Sequence, residues 1–288
     1  MGFETIFPAQ AALGECPLWC GQTQRLWWVD IEAPAIHCLD PATGKNVTLP
    51  MEENVGCIAL REGGGFIAGL RSGIWLLDDQ GHKEKLIANP QPDTSISRFN
   101  DGRADPWGRF WAGTIYEPRD RPDAMLCLVD EGLHCRQMAG DIKVSNGVAF
   151  SPDRRWMYHS DTPSHVIYRY PLDRDGNIGQ REVFHQFPLG NGRPDGAAVD
   201  AEGFYWSALY EGGRVVRLSP AGEIVAEYPL PARCPTMCAF GGPDLRTLYV
   251  TSARHGRPKS ELAEWPESGN LFSMRVETPG LPEPKFAG

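Results

Sequence analysis

Four polar residues stand at the start of short stretches of small and apolar residues. The stretches read GECPLWC, FNDGRAD, SNGVAFS and PDGAAVD, and the polar residues are Glu15, Asn100, Asn146 and Asp195. Carboxylate and amide oxygens of this kind are the ligands that hard divalent cations prefer. Acidic side chains that are crowded together repel one another and lose hydration, so a cation among them is the simplest way to stabilise such a group.

The predicted ligand set is Glu15, Asn146 and Asp195, with Asn100 as a further candidate. It contains neither His nor Cys, so it suits Ca²⁺, Mg²⁺ or Mn²⁺ better than a structural Zn²⁺. The protein ligands are too few for a closed calcium cage, so water or substrate should complete the shell. A structural alternative stays open, because Asn-Gly and Asp-Gly are common turn dipeptides and an Asp or Asn at a strand end often only satisfies backbone donors.

A repeat of about 45 residues explains why the four residues should meet. Each of them precedes an aromatic anchor by 11 to 13 residues, in runs such as QRLWWVD, WGRFWAGT and EGFYWSAL. The six anchors of the repeat are Trp28, Ile67, Trp111, Tyr158, Trp206 and Tyr249. A second apolar run and often a Gly-containing turn follow each anchor, which is typical of paired strands. The two remaining repeats place Val55 and Met237 at the position of the polar residues.

The repeat predicts an all-β fold, a six-bladed β-propeller with four-stranded blades that takes up residues 1–288 as one domain. The 32 Gly and 25 Pro residues and the lack of a sustained helical period disfavour long helices. An open ring would leave two sheet edges free to pair with other chains. The N-terminal segment FETIF is therefore predicted to close the ring as the outer strand of the sixth blade. The Asp residues that follow the inner strands are predicted to form turns at the opposite end, namely Asp105, Asp153, Asp200 and Asp244.

Composition and missing motifs exclude several classes of function. The net charge of −9 is spread along the chain without a basic stripe, so neither nucleic acid nor an anionic membrane is an expected partner. The N-terminus MGFETIFPAQ has no charged stretch followed by an apolar one, which predicts a cytoplasmic protein. No G-x-S-x-G, G-x-G-x-x-G, P-loop or H-E-x-x-H motif is present. A monomer or a weak homo-oligomer is expected.

With the repeat in place, several long motifs occur in order: GECPLW, RFNDGRADPWGRFWAGT, SNGVAFSPD and RPDGAAVDAEGFYWSAL. In these motifs the sequence resembles the family of regucalcin (senescence marker protein) and bacterial gluconolactonases, over nearly the whole chain. The resemblance implies a six-bladed propeller with one divalent ion at the mouth of the central tunnel, which is Ca²⁺, Zn²⁺, Mg²⁺, Mn²⁺ or Fe(II). It also implies the hydrolysis of aldonolactones.

The resemblance assigns roles to individual residues. The metal-binding positions of the family fall on Glu15, Asn146 and Asp195, and the last of these is also the implied catalytic base. The substrate-binding Arg and Asn of the family fall on Arg98 and Asn100, with Asp101 beside them, and Glu117 is a further candidate without an exact counterpart. Glu117, in AGTIYEP, lies one residue earlier than its counterpart in the family, and a Pro-rich segment follows it.

The sequence therefore predicts a metal-dependent hydrolase that opens a small sugar lactone, such as glucono-, galactono-, arabinono- or xylonolactone, to the aldonic acid. Asp195 is expected to accept a proton from the attacking water, while Arg98 and Asn100 bind sugar hydroxyls or developing negative charge. Two alternatives remain. One is a phosphotriesterase-like hydrolase, and the other is a propeller that binds calcium or serves as a scaffold without turnover.

Overall fold

Each repeat of the sequence folds into one antiparallel four-stranded sheet, and six such sheets form the ring of a β-propeller in the computed structural model, which describes residues 2–288. The prediction of an all-β six-bladed propeller is confirmed. The strands are β1 (Glu4–Phe7), β2 (Gly14–Cys20), β3 (Arg25–Asp30), β4 (Ala35–Asp40), β5 (Lys45–Pro50), β6 (Val55–Leu60), β7 (Phe66–Leu70), β8 (Gly73–Leu77), β9 (Lys83–Ala88), β10 (Ser97–Ala104), β11 (Phe110–Tyr116), β12 (Ala124–Val129), β13 (Cys135–Ile142), β14 (Ser145–Phe150), β15 (Trp156–Asp161), β16 (Val166–Pro171), β17 (Glu182–Gln186), β18 (Arg193–Val199), β19 (Tyr205–Tyr210), β20 (Arg214–Leu218), β21 (Ile224–Pro229), β22 (Pro235–Gly241), β23 (Thr247–Ser252) and β24 (Leu271–Arg275).

The ring is closed by the N-terminal strand. β1 pairs antiparallel with β24, and the sixth sheet has the order β1-β24-β23-β22. The predicted role of FETIF is thereby confirmed. Helix is scarce: α1 spans Lys259–Glu264, and a single 3₁₀ turn spans Thr162–Ser164. Within residues 2–288, no helix has the length and apolar character that crossing a membrane requires.

Neighbouring innermost strands approach each other closely around the axis. A Cβ atom at Gly56 would lie 2.2 Å from the carbonyl oxygen of Phe99, and one at Gly196 would lie 2.4 Å from the Cβ of Met237. Such distances exclude any side chain at these positions. The need for close packing explains why the inner strands are built from small residues such as VGCIAL and PDGAAV.

Each innermost strand carries an irregularity in its register beside the axial position. In β2 the shift lies between Glu15 and Leu18, and in β14 it lies between Asn146 and Ala149. A bulge of this kind redirects a side chain and bends the strand. Gly147 follows Asn146 with φ of 63°, and a Cβ there would lie 2.4 Å from the hydroxyl of Tyr205. The Asn-Gly pair therefore belongs to a strand bulge and not to a turn.

The opposite end of the tunnel is closed by turns and by the C-terminal segment. The four predicted Asp residues lie at turns or directly beside them, as expected: Asp105, Asp153, Asp200 and Asp244. The Pro-rich segment that follows β24 packs over this end, where the buried Arg103 guanidinium forms an ion pair with Glu283 at 3.1 Å. Phe286, near the end of the chain, is fully buried. The tunnel is thus covered on one side, and its other end forms the open mouth.

Candidate active site at the tunnel mouth

The four polar axial residues line one cavity at the open mouth of the tunnel. Glu15 comes from β2, Asn100 from β10, Asn146 from β14 and Asp195 from β18. The cavity has a volume of about 550 Å³. All four side chains are less than a tenth exposed. Val55 and Met237, which hold the same position in the other two blades, are buried in the hydrophobic core. The repeat alone thus brings together residues that are up to 180 positions apart in the chain.

The two amides form a hydrogen-bonded chain across three blades. Asn100 Nδ2 donates to Asn146 Oδ1 at 2.9 Å and to the carbonyl of Ser145 at 3.0 Å. Asn146 Nδ2 donates to Thr162 Oγ1 at 2.7 Å, and this hydroxyl donates to the carbonyl of Pro194 at 2.8 Å. Both amide orientations are fixed by these partners. Asn146 Oδ1 accepts one hydrogen bond and keeps a second lone pair for a ligand in the cavity.

The two carboxylates, Glu15 and Asp195, are buried with little compensation. The Cys16 backbone N–H donates to Glu15 at 3.3 Å, and Arg98 and Arg193 act on the pair by charge alone. Burial, the charge of Asp195 and the charge of Asp101 raise the pKa of Glu15 well above its usual range. Burial and the charge of Asp101 likewise raise the pKa of Asp195, although the nearby Arg193 and Arg119 lower it. Within residues 2–288 neither carboxylate forms an ion pair. Negative charge in this place therefore needs a partner from outside the chain.

Asp101 lies below the cavity and does not line it. Its carboxylate accepts hydrogen bonds from the backbone N–H groups of Gly102 at 2.8 Å and Val148 at 3.0 Å. Burial raises the pKa of Asp101, whereas the Val148 hydrogen bond and the charge of Arg103 lower it. A direct contact of Asp101 with substrate stays a prediction, and its contacts favour a role in fixing the strands β10 and β14 beneath the site.

Arg98 borders the cavity above Asn100, and it is 4% exposed. Its Nη1 donates to Asn100 Oδ1 at 2.8 Å and to the carbonyl of Phe99 at 3.1 Å. Its other nitrogens face two carboxylates at longer range, Glu32 at 3.6 Å and Glu117 at 3.7 Å. Burial lowers the pKa of Arg98, and the charges of these two carboxylates oppose that effect. The Nε atom is buried without a hydrogen bond within residues 2–288, so Nη2 is the donor that remains for a ligand.

Glu117 also lines the cavity, and Arg71 holds it in place. The guanidinium of Arg71 forms a bidentate pair with Glu117, at 2.7 Å and 3.2 Å. Partial burial raises the pKa of Glu117, but the hydrogen bond and charge of Arg71 outweigh it and lower the pKa overall. Glu117 is therefore a fixed anionic acceptor on the wall beside Arg98. Arg71 has no motif of its own in the sequence, and only the fold shows that it belongs to the site.

The sequence motifs missed part of the cavity wall. The residues of this part come from blades 1, 3, 5 and 6 and are Glu32, Arg119, Arg193, Tyr210, Glu211, His255 and Arg257. One signal in the sequence points to Arg193, which precedes Asp195 by two positions just as Arg98 precedes Asn100. Leu13 and Val144, which precede the axial Glu15 and Asn146 by two positions, line the cavity as well. Tyr210 ends β19, and the other members of this wall lie on loops, where the repeat gives no register.

The donor set at the mouth fits a hard divalent cation. Glu15 and Asp195 supply two buried carboxylates that lack a cationic partner within residues 2–288, and Asn146 supplies an oriented amide oxygen. The described part of the chain has no cluster of three or more His, Cys, Asp or Glu side chains that could hold a metal by themselves. The predicted ligand set of Glu15, Asn146 and Asp195 would not count as such a cluster, because only two of its three members are acidic.

Comparisons with known proteins agree with the fold and show the family. The family model described as SMP-30/Gluconolactonase/LRE-like region matches residues 13–254. A 6-deoxy-6-sulfogluconolactonase of Pseudomonas putida is 57% identical over 279 residues, which cover 96% of each chain. A pentonolactonase of Haloferax volcanii is 35% identical over 288 residues, again 96% of each chain. Among solved structures, a calcium-binding protein of Agrobacterium tumefaciens, described as regucalcin, superposes with a TM-score of 0.94 at 30% identity and covers 100% of this chain and 98% of its own.

Proposed function

The chain belongs to the SMP-30/gluconolactonase/LRE-like family, and from this premise we propose that it is a metal-dependent hydrolase that opens a sugar lactone to the aldonic acid. The observation that carries the proposal is the pair of buried carboxylates, Glu15 and Asp195, which line the cavity without an ion-pair partner within residues 2–288. A scaffold protein gains nothing from such a pair, because buried charge without compensation costs stability.

The substrate we propose is a six-carbon lactone. The Pseudomonas putida relative, which acts by its name on 6-deoxy-6-sulfogluconolactone, supports a gluconolactone that carries a sulfonate on its sixth carbon. Neutral glucono-, galactono-, arabinono- and xylonolactones are related substrates that the same site would accept less well. A cavity of about 550 Å³ suits a ligand of one sugar ring.

Glu15, Asn146 and Asp195 are the residues that would hold the cation. The calcium-binding description of the Agrobacterium tumefaciens relative supports a divalent ion in this place. When bound, such an ion polarises the lactone carbonyl and offsets the negative charge that develops on its oxygen. Asn100 supports this set from the side, because its amide fixes the orientation of Asn146.

Asp195 is the proposed base. A carboxylate oxygen of Asp195 takes a proton from water as the water oxygen bonds to the carbonyl carbon. The bond from that carbon to the ring oxygen then breaks, and the proton passes to the ring oxygen, which becomes a free hydroxyl of the aldonic acid. A cation held by Asp195 would lower the pKa of this carboxylate and with it its strength as a base, whereas burial and the charge of Asp101 raise that pKa and oppose the effect.

Arg98 and Glu117 are the proposed sugar-binding groups on the other side of the cavity. Arg98 offers donors from a fixed guanidinium, and Glu117 offers acceptor oxygens that Arg71 holds in position. Asn100 has committed both amide hydrogens to Ser145 and Asn146, so its remaining capacity is as an acceptor from a sugar hydroxyl. Together these groups orient the lactone ring toward Asp195.

The test is a hydrolysis assay that follows acid release across sulfonated and neutral lactones. Spontaneous ring opening is subtracted, and each lactone is measured with protein as purified, after removal of metal by a chelator, and after Ca²⁺, Mn²⁺ or Zn²⁺ is added back. We expect turnover that is lost on chelation and restored by at least one ion. The Asp195→Asn variant serves as the matched inactive control.

Three results would contradict the proposal. Equal turnover with and without chelator would remove the cation from the reaction. Turnover of organophosphate triesters in the absence of any lactone hydrolysis would favour a phosphotriesterase-like enzyme, and calcium binding without turnover of either class would favour a non-catalytic propeller.

A further inference from the structure

Arg193 holds the same position in blade 5 that Arg98 holds in blade 3. It precedes the axial Asp195 by two residues on β18, so the two Cα atoms lie about 7 Å apart along the strand. The Arg193 guanidinium stacks over the ring of Tyr210 at 5.2 Å and donates from Nη2 to Glu211 at 2.7 Å. Its Nε is buried and makes no hydrogen bond within residues 2–288.

The two arginines are balanced by charge to a similar degree and differ in exposure. Arg98 has two carboxylates within ion-pair range, at 3.6 and 3.7 Å, and one of them is shared with Arg71. Arg193 pairs with Glu211, and Arg257 takes the other oxygen of that carboxylate at 2.6 Å and pairs with a second carboxylate as well. The Arg193 side chain is 26% exposed against 5% for Arg98, so Arg193 is the more accessible guanidinium for an anion that enters the cavity.

Arg119 adds positive charge to the same part of the cavity. It is an exposed residue on the segment between β11 and β12, it lines the cavity, and it forms no ion pair within residues 2–288. Burial and the charge of Asp101 raise the pKa of Asp195, whereas the charges of Arg193 and Arg119 lower it. Arg119, Arg193 and Asp195 line the same cavity, so both guanidinium groups bring positive charge to the cavity that holds the catalytic carboxylate.

We propose that Arg193, assisted by Arg119, forms an anion subsite that binds a negatively charged sulfonate or phosphate on the sixth carbon of the lactone. This assignment rests on the proposed function, and it makes Arg193 a residue that determines specificity. In a 1,5-lactone the sixth carbon is bonded to the fifth carbon, which carries the ring oxygen. The ring oxygen is in turn bonded to the reacting carbonyl carbon. The charged substituent must therefore bind close to Asp195, and Arg193 is the arginine of this wall that stands on the same strand.

The chemistry of the guanidinium explains why a charged substituent is selected. Its flat set of donors can offer two parallel hydrogen bonds to the oxygens of a sulfonate or phosphate. A neutral hydroxymethyl group in the same place satisfies fewer of these donors, and a buried donor without a partner is costly. Selection for the anion therefore comes both from the contacts that it makes and from the poorer fit of the neutral substrate.

The experiment measures kcat/KM of the holoenzyme for three lactones that differ only at the sixth carbon: gluconolactone, its 6-deoxy-6-sulfo derivative and its 6-phospho derivative. The readout is the ratio of the charged to the neutral substrate. Arg193→Gln should lower this ratio by about 10- to 100-fold. Arg119→Gln should lower it by a smaller factor, and Arg193→Lys should recover part of the loss. The charged lactone with the larger ratio in the wild type shows whether the subsite prefers a sulfonate or a phosphate.

Arg254→Gln is the matched control. Arg254 precedes His255 on the same loop, but its guanidinium donates to Gln10 at 2.9 Å and does not line the cavity, so the ratio should stay within about twofold. A wild-type enzyme that hydrolyses the charged and neutral lactones equally, or an Arg193→Gln variant that keeps the wild-type ratio, would overturn the subsite while leaving lactone hydrolysis intact.

A binding measurement separates failure of the subsite from failure of the proposed function. Titration calorimetry compares gluconate with 6-deoxy-6-sulfogluconate, which are the ring-opened acids. Tighter binding of the sulfonated acid that is lost in Arg193→Gln would support the subsite even if no lactone were hydrolysed. Equal binding of both acids by the wild type would contradict it.

Discussion

Asp195 and Asp200 stand at the two ends of the same strand, and the fold treats them in opposite ways. Asp200 directly follows β18, is fully buried and accepts hydrogen bonds from the backbone N–H groups of Glu202 and Phe204, both at 3.0 Å. The Trp206 indole donates to it at 2.9 Å, and the Arg217 guanidinium forms an ion pair with it at 2.7 Å. Asp195 is as deeply buried and has no ion pair within residues 2–288.

This difference in ion pairing separates the structural end of the propeller from the end that carries the candidate active site. At the closed end the protein supplies its own positive charge, so the carboxylate stabilises the turn and the anchor tryptophan. Asp105 repeats the arrangement in blade 3, with Arg109 at 2.6 Å and the Trp111 indole at 3.0 Å. At the open mouth the protein supplies no such partner, and the carboxylates are left to bind an ion or to move a proton.

The largest effect is expected at the mouth, for Asp195→Asn. The change removes the proposed base and a ligand charge with almost no change in volume, so kcat should fall by about three orders of magnitude. The melting temperature of the metal-free protein should not fall, because the folded state already disfavours the ionised form of Asp195. Steady-state kinetics and thermal unfolding measure the two quantities. A kcat within tenfold of wild type would contradict the role of Asp195.

The opposite result is expected at the closed end, for Asp200→Asn. This change removes the buried partner of Arg217, which then keeps only the exposed Glu202 at 3.3 Å, and it should lower the free energy of unfolding by about 3 kcal/mol, while kcat of the folded protein stays close to wild type. Asp153→Asn is the matched control, since Asp153 holds the corresponding turn of blade 4 with an exposed partner, Arg155, and should cost less than about 1 kcal/mol. Equal losses of unfolding free energy for Asp200→Asn and Asp153→Asn in denaturant titrations would contradict the structural role given to Asp200.

Glu15→Gln tests whether the mouth holds a cation. The change removes one carboxylate charge and keeps the shape of the side chain, so affinity for Ca²⁺ or Mn²⁺ should fall by about a hundredfold. Calorimetric titration of the folded variant measures the affinity, and circular dichroism checks that the propeller is intact. Full affinity in the variant would move the ion away from Glu15, Asn146 and Asp195.

The smallest effect is expected for Arg98→Ala. If Arg98 binds the sugar before the reaction begins, KM should rise by about tenfold while kcat changes little, because the cation already offsets charge on the carbonyl oxygen. Kinetics on one good lactone separate the two parameters. A large fall in kcat at constant KM would instead show that Arg98 acts only in the transition state.

The sequence determined the fold and the centre of the site. The repeat of anchors fixes six blades, since each blade buries its anchor residue, and the unpaired FETIF segment fixes how the ring closes. Because the repeat also sets a register, it predicted that Glu15, Asn100, Asn146 and Asp195 occupy equivalent places around the axis. The structure brings all four to one cavity. A local pattern is sufficient here, because the position of a residue along a strand determines on which face and at which height its side chain lies.

Only the tertiary structure decided the rest of the site. Arg71 meets Glu117 across two blades, Arg193 and Arg257 share Glu211, and Asp101 points below the cavity to the backbone of β14. These contacts join loops and strand ends whose positions depend on bulges and on the rotation from one blade to the next. No short stretch of sequence encodes these contacts, because each of them joins segments that are distant in the sequence and meet only when the ring has closed.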